Sequence, residues 1–532
     1  MTDVDVVVVG AGFAGMYMLH KLRTLGFSAR AFEAGDGVGG TWYWNRYPGA
    51  RCDTESMEYS YGFDEDLQQE WHWSERYATQ PEIERYANHV ADRYDLRKDI
   101  TFNTRVTAAT FNDAEGTWRV TTEGGEDLTA KFVVCATGCL SSANLPDFEG
   151  LDSFTGPKYH TGRWPKEGVD FAGKRVAVIG TGSSAIQSIP IIAEQCAELT
   201  VFQRTANYAV PAWNQQLDPE DVADVKSHYQ EFREENRKMG AAFGSRLPKG
   251  TDKSVFEVDE ETRRAHLDER WAYGGLGFLG GFLDVLLNPQ ANEVVAEYVR
   301  EKIRETVNDP EVAELLAPQQ VIGCKRLCVD TGYYATYNLD HVHLVDINKS
   351  PIVRITPQGV QTVDQEHVVD VIVFATGFDA MTGALLSIDI QGRDGVALRD
   401  AWSAGPRTYL GLGVVGFPNL FTITGPGSPS VLTNMMVSIQ QHVDWIGQCL
   451  SYLRDNNVTT IEAEQDAQDA WVDYVNTIAS FTLFPQCNSW YLGANVPGKT
   501  RVFMPLLGYP PYEEKCNDVA SKNYEGFALT PA

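Results

Sequence analysis

Basic residues are scarce in this chain: 44 Lys and Arg face 72 Asp and Glu among 532 residues, a formal net charge of −28. Nucleic acid and anionic membrane surfaces both need a basic footprint, so neither is expected as a partner. Long apolar runs are missing too. None reaches the about 18 residues that cross a bilayer, and the nearest approach, 274–287, is broken by Asp284. The start of the chain has no basic stretch ahead of an apolar one; Met1-Thr-Asp-Val-Asp5 leads straight into a strand pattern, so the expectation is an unexported, cytoplasmic protein. Paired cysteine spacing is also lacking. Nine cysteines is an odd number, and the two Cys-x3-Cys pairs, Cys135/Cys139 and Cys324/Cys328, fit neither zinc-finger nor thioredoxin spacing. No metal is expected, and the thiols read as reduced and mostly buried.

What is present is a globular composition, 43% hydrophobic and 22% charged, with 47 glycines to make turns. The length exceeds what one core can fill, and ~150 residues per domain suggests two to four units. The first unit is explicit. An apolar run, Val4 to Val9, has the pattern of a strand covered on both faces and ends in Gly10-Ala-Gly12-Phe13-Ala-Gly15. A helix with Met16, Leu19 and Leu22 follows, and a second strand, Ala29 to Glu33, closes on an acid. In this fingerprint the first glycine makes the tight turn, the second lets backbone approach a pyrophosphate, and the third lets helix pack on strand. Glu33 stands where a carboxylate accepts hydrogen bonds from a ribose. Next comes a loop dense in aromatics and turn formers, Gly39-Gly40-Thr41-Trp42 to Asp53, suited to wrapping a flat cofactor with Asp53 as a buried carboxylate. Phe132 to Gly138 is a further buried strand ending in a glycine turn.

A second fingerprint begins after Lys174: a strand to Ile179, then Gly180-Thr-Gly182-Ser183-Ser184-Ala185, a helix, and the strand 199–203. It ends in Arg204-Thr205, where the first unit has Glu33. A carboxylate repels a 2′-phosphate and an arginine binds it bidentately, so this site suits NADPH. Opposite ribose chemistry at the two sites implies two dinucleotides, FAD first and NADPH second.

Between the fingerprints lies Phe154-Thr-Gly156-Pro-Lys-Tyr-His160-Thr-Gly-Arg-Trp164-Pro165, which reads as neither helix nor strand but as a bent connector between two lobes. From about Ala209 to Gln320 the pattern turns helical. Asp218-Pro219 opens one helix with the stripe Val222, Val225, Tyr229 and Phe232, and Val295, Val299, Ile303 and Val307 share a face of another. Ala375-Thr-Gly377 then echoes Ala136-Thr-Gly138. The resulting expectation is an α/β chain of two Rossmann-like dinucleotide-binding domains with a helical insertion in the second. The FAD domain takes 1–143 and 379–532, the NADPH domain 144–208 and 326–378, and the insertion 209–325. Late in the chain, Gly425 to Asn434 forms a rigid loop ahead of a helix from about Met435, and Ser489 to Lys499 is an aromatic, glycine-rich loop that reads equally as surface or as ligand-closing.

The connector residues Phe154, Gly156, His160, Trp164 and Pro165 resemble the fingerprint of type I Baeyer–Villiger monooxygenases, and the likeness extends over nearly the whole chain. In detail it is most like the phenylacetone and steroid monooxygenases and less like cyclohexanone monooxygenase. The resemblance implies FAD- and NADPH-dependent conversion of ketones to esters or lactones with O2, through a flavin peroxide and a negatively charged adduct, with NADP+ retained during turnover. It implies that Arg326, in the pair Lys325-Arg326, is the catalytic arginine, that Asp53 positions and tunes it, and that Lys325 joins Arg204 at the 2′-phosphate. His160 and Trp164 become linker residues that couple lobe motion to catalysis, with His160 neither acid nor base, and Trp490 folds over NADP. Leu140, Ser430, Val431, Leu432 and Met435 match positions that line the substrate pocket. A monomer is expected. Three alternatives stay open at this point: an N- or S-oxygenating flavoprotein, a flavoprotein disulfide reductase, and a non-catalytic nucleotide sensor.

Overall fold

In the computed structural model the described residues are 2–494, 498 and 508–531. Two parallel-centred sheets carry the chain. The first has eight strands. Its path runs Ile100–Thr101, Ala29–Phe32, Val4–Val9, Asp127–Cys135, Thr117–Thr122, Val106–Asn112 and Asp389–Gln391, and Leu420–Phe421–Thr422 pairs in parallel with Asp127–Cys135. Val4–Val9 is flanked by parallel partners on both sides and its last four residues are buried, which explains an apolar run with no alternation. The second sheet is parallel throughout: Val342–Asp346, Glu198–Gln203, Arg175–Ile179, Val371–Phe374 and Lys158–His160.

Each central strand runs into its glycine turn and then a helix, Phe13–Thr24 in the first sheet and Ser183–Gln195 in the second. Gly15 shows why the third glycine is needed in the first unit: a Cβ there would lie 1.9 Å from the Gly10 carbonyl oxygen. The second unit carries Ala185 at this place, and its side chain is fully buried.

The connector departs from its expected character. Lys158–His160 is a regular strand at the edge of the second sheet, in register with Val371–Phe374. Its aromatic anchors stay with that sheet. Phe154 packs with Ile179, Phe202 and Phe374 on one face, and Trp164 packs with Phe171, Val176 and Ile186 on the other. A Cβ at Gly156 would meet the Asp370 carbonyl at 2.4 Å, so the chain passes there in close contact with backbone. The stretch is anchored to the second lobe by its side chains, and the short strand in it is the part the sequence pattern did not announce.

The helical segment also divides differently. The stripe from Val222 to Phe232 is two helices, Pro219–Ser227 and Tyr229–Arg237, broken at His228 (φ −142°, ψ 40°). Val225, Tyr229 and Phe232 pack into the apolar core of the first sheet and its helices, not into the second. The helix Pro289–Thr306 matches expectation, and Val295, Val299, Ile303 and Val307 are buried together with the second sheet's core. The aromatic loop after Gly39 contains one helical turn, Thr41–Trp44.

That loop supplies contacts across the two lobes. Tyr47 donates its hydroxyl to Gln187 Oε1 at 2.8 Å, and Gln187 Nε2 donates to the Arg51 carbonyl at 3.0 Å, tying the loop to the second fingerprint's helix. Lys166, just past Trp164, pairs with Asp36 and lies over the Tyr43 ring. Among the described residues no helix is long and apolar enough to cross a membrane, and no cluster of His, Cys, Asp and Glu is arranged to hold a metal ion.

Candidate active site

One cavity of about 1890 Å³ opens between the two sheets. This is roughly twice the upper end of a pocket for one drug-sized ligand, ~1,000 Å³. Both fingerprints line it. From the first unit come Gly10, Gly12, Phe13, Glu33, Gly40, Thr41, Trp42 and Asp53; from the second, Gly180, Gly182, Ser183, Ser184, Arg204 and Thr205. Gly15 lies outside the lining, in the packing of its helix on the turn.

The walls fit the two dinucleotides. Glu33 is buried and its two carboxylate oxygens accept from Ala11 N and Gly35 N, both at 2.8 Å, which locks the fingerprint turn. A carboxylate has about four acceptor sites, so a ribose hydroxyl can be received as well. Gly182 is exposed to the cavity, with nothing within 4 Å of a Cβ built on it. That empty space at a helix N-terminus suits a pyrophosphate in close approach to backbone. Ser183 contacts the Cys328 thiol at 3.3 Å, and Ser184 contacts the Thr161 hydroxyl at 3.1 Å, so the second fingerprint is bonded to the border stretch that carries His160.

Two cations face the far end of this second site. Arg204 is exposed, and Asn348 Nδ2 donates to its carbonyl at 2.6 Å. Burial first, and the neighbouring Arg204 charge second, push the Lys325 ammonium below its ordinary pKa. Two positive groups on the wall of one cavity suit an anionic group such as a phosphate.

Next to Lys325 in the chain, Arg326 meets Asp53. Nε donates to Asp53 Oδ2 at 2.8 Å and Nη2 to Oδ1 at 2.9 Å, a two-pronged pair, while Nη1 donates to the Val431 carbonyl at 2.7 Å. Burial works against the guanidinium charge, but Asp53 more than offsets it and holds Arg326 well above its ordinary pKa. Arg326 therefore stays charged at every working pH. Tyr491 packs beside it, and burial pushes that phenol up to about 12.

The residues read as a substrate pocket are brought to this cavity in part. Leu140, Val431 and Met435 line the cavity, and they belong with Leu432, Trp490, Tyr491, Phe484 and Cys139 to one apolar cluster. Leu432 is in the cluster but not in the lining, and Ser430 is fully buried behind it at φ 46°. Trp490 begins a three-residue helical turn, its ring 4.4 Å from that of Tyr491, and lines the cavity. Of the loop to Lys499, residues 495–497 and 499 lie outside the described residues.

His160 does not reach the cavity. Its Nδ1 accepts from Gly162 N at 3.0 Å and its Nε2 is 3.3 Å from the Thr376 hydroxyl, which donates to the Asn144 carbonyl. Burial lowers its pKa, so it is a neutral, bonded ring in the border of the second lobe. Trp164 and Phe154 are likewise away from the cavity.

One expectation is overturned here. The nine thiols are not all free: Cys324 and Cys487, 163 positions apart, form a disulfide with Cα atoms 5.9 Å apart. Seven cysteines remain as thiols, six of them buried. The pair escaped the reading because neither cysteine has a spacing signal; what joins them is the convergence of two remote segments on one wall. Tyr491 and Gln187 were missed for the same reason.

Residues 7–294 match the family described as pyridine nucleotide-disulphide oxidoreductase, which defines the class as an oxidoreductase built on dinucleotide-binding units. The chain is 44% identical to 2-oxo-Δ3-4,5,5-trimethylcyclopentenylacetyl-CoA monooxygenase of Pseudomonas putida, over 99% of this chain and 98% of that protein. It is 41% identical to cyclohexanone 1,2-monooxygenase of an Acinetobacter species, over 99% and 97%. A solved structure of oxidised steroid monooxygenase bound to NADP superposes with a TM-score of 0.95 at 51% identity, covering 99% of this chain and 100% of that one. The chain belongs to the type I Baeyer–Villiger monooxygenase family and is an FAD- and NADPH-dependent monooxygenase.

Proposed function

We propose that the enzyme converts small ketones to esters or lactones with O2 as co-substrate, and that Arg326 and Asp53 are the residues that carry the reaction. The observation that carries this reading is the two-pronged Arg326–Asp53 pair in the wall of a cavity shared by both fingerprints. When bound, NADPH would supply the two electrons and FAD would carry them to O2, from which the inserted oxygen atom comes. The chain's own part is to bind, orient and stabilise charge. Arg326 holds a permanent positive charge beside the apolar cluster, and it stabilises the negative charge that grows as oxygen is delivered to a carbonyl. Asp53 fixes the guanidinium plane and leaves its charge in place. Arg204 and Lys325 hold the 2′-phosphate of NADPH, Thr205, Ser183 and Ser184 line its path, and Trp490 covers it. Leu140, Val431 and Met435 shape the ketone's seat.

We assign 1–143 and 379–532 to the FAD unit, 144–208 and 326–378 to the NADPH unit, and 209–325 to an insertion, of which Pro219–Arg237 serves the FAD side. We further infer a monomer that works in the cytoplasm. The reading is tested by incubating the purified yellow holoenzyme with NADPH, oxygen and a panel of ketones and sulfides. NADPH consumption matched by ester is the expected result. Sulfoxide with no ester from any ketone would assign the chain to the S-oxygenating alternative instead.

A further inference from the structure

The Cys324–Cys487 disulfide lies inside the site. Cys324 precedes Lys325 and stands two residues before Arg326; Cys487 stands three residues before Trp490. All five line the same cavity. Both segments lack strong local structure. Residues 317–327, which carry Arg326, form no helix or strand, and 484–492 hold only two three-residue helical turns. Segments of this kind have low local stability, and their position comes from tertiary ties. The start of the arginine segment is held by Tyr208 at Pro318 and Gln320 and by Asn292 at Ile322; around Arg326 itself the ties include Asp53, the Val431 carbonyl, Tyr491 and the disulfide. For the tryptophan segment they include the disulfide, the apolar cluster around Val431, the Tyr491 contact with Arg326 and, just ahead of the segment, the bond from Leu483 N to the Leu286 carbonyl.

We propose that Cys324 and Cys487 are a reducible positioning pair, a redox modification site that sets the wall carrying Trp490 and Tyr491 against the segment carrying Lys325 and Arg326. When closed, the bond holds that wall ready for NADP+ and ketone; when open, both segments lose a shared constraint, and ordering them falls to the ligands. Closure breaks two S–H bonds and forms one S–S bond, and the two electrons and two protons reduce one hydroperoxide to water and the corresponding alcohol, or to two waters for hydrogen peroxide. Opening is exchange with a small dithiol, which leaves as its own disulfide. Both sulfurs belong to residues that are buried yet line the cavity, so the reagents reach them by the ligands' own route and bound NADP+ shields them. A cytoplasmic enzyme gives such a bond the character of a transient, redox-sensing one.

This inference rests on the roles proposed above for Arg326 and Trp490, so its test has one arm that does not use them. The FAD-loaded full-length enzyme, air-oxidised or treated with hydrogen peroxide, is denatured and alkylated with N-ethylmaleimide before and after reduction, and its peptides are mapped. Cys324 and Cys487 should be labelled only after reduction, and reduction of the native enzyme by dithiothreitol should slow when NADP+ is saturating. In the second arm, NADP+ binding is titrated and kcat and KM for a ketone are measured for oxidised, reduced and Cys324→Ser enzyme. The expected result is an NADP+ Kd about tenfold weaker and a raised KM on reduction. FAD content should be unchanged, peroxide should restore the wild type, and Cys324→Ser should match the reduced enzyme and ignore peroxide. Labelling of both cysteines without reductant in the peroxide-treated enzyme overturns the proposal, as does identical NADP+ binding in the oxidised and reduced forms. If NADP+ binding responds but no ketone yields ester in either form, the proposed function fails while the redox pair stands.

Discussion

Asp53 grips Arg326 with both carboxylate oxygens across 273 positions of chain, at 2.8 and 2.9 Å. Asp53 closes the aromatic loop of the first unit, and Arg326 lies on the irregular segment that returns to the second sheet. The pair is therefore both a joint between lobes and the place where a fixed positive charge faces the cavity.

Asp53→Asn keeps the shape and removes the counter-charge. Arg326 then loses its two-pronged partner while keeping the Val431 carbonyl. Ester formation should fall about 10- to 100-fold, the effect of ~1.4–2.8 kcal/mol at the barrier. The more drastic Asp53→Ala should also cost about 1–3 kcal/mol of folding stability, because it leaves a partly buried cation unpaired. Ester yield by chromatography and urea unfolding check the two effects.

Arg204→Ala should weaken NADPH far more than NADH. If Arg204 holds the 2′-phosphate as proposed, the variant loses a charge-assisted contact that NADH cannot make, and the ratio of the two Kd values should move by about tenfold or more. Equal loss for both cofactors would show that Arg204 does not read the phosphate.

The two fingerprints predict opposite outcomes for alanine at a glycine. Gly15→Ala places a Cβ 1.9 Å from the Gly10 oxygen, so the first turn must shift and the protein should lose FAD or fail to fold. Gly182→Ala meets no protein atom within 4 Å, so that variant should fold and stay yellow while binding NADPH more weakly. Flavin absorbance per polypeptide separates the two.

His442 makes a pH prediction. It is fully buried in the helix Met435–Asp455, its Nδ1 accepts from Thr424 N at 2.9 Å, and its Nε2 is 2.7 Å from the Tyr512 hydroxyl. Burial pushes its pKa down to about 3, against 6.5 for the free side chain. Above pH 6.5 the ring is neutral in both states and contributes nothing to the pH dependence. As pH falls below 6.5 the unfolded chain takes up a proton that the folded one refuses, so stability is lost down to about pH 3 at up to ~1.4 kcal/mol per pH unit. His442→Gln should be less stable at pH 7 and should show a shallower fall through that window, measured by urea unfolding at a series of pH values.

The parts that were legible in the sequence are those written in short-range pattern. Val4–Val9 with Gly10, Gly12 and Gly15, and Arg175–Ile179 with Gly180 and Gly182, each declare a strand, a turn and a helix within one local unit. The contrast between Glu33 and Arg204 is equally local. What could not be read locally was the meeting of remote segments. Lys158–His160 is a strand only because Val371–Phe374 lies beside it, and three residues at a sheet edge are too few to show alternation. Val222 to Phe232 kept a helical spacing across the break at His228, which hid both the break and the lobe it serves. Asp53 was legible as a carboxylate of the aromatic loop, but Arg326, and the pairing of the two, came only through a family resemblance, since nothing in Lys325-Arg326 as a dipeptide distinguishes it from a surface pair. Cys324 and Cys487 had neither pattern nor resemblance to point to them.

The central claim is that Arg326 stabilises charge during oxygen delivery and has no part in holding FAD or accepting electrons. Arg326→Ala, reconstituted with FAD, tests it by rapid mixing with NADPH followed by product analysis with oxygen and a ketone. The account predicts FAD bleaching by NADPH and no ester, at least ~100-fold below the wild type. Ester formed at the wild-type rate by this variant would contradict it.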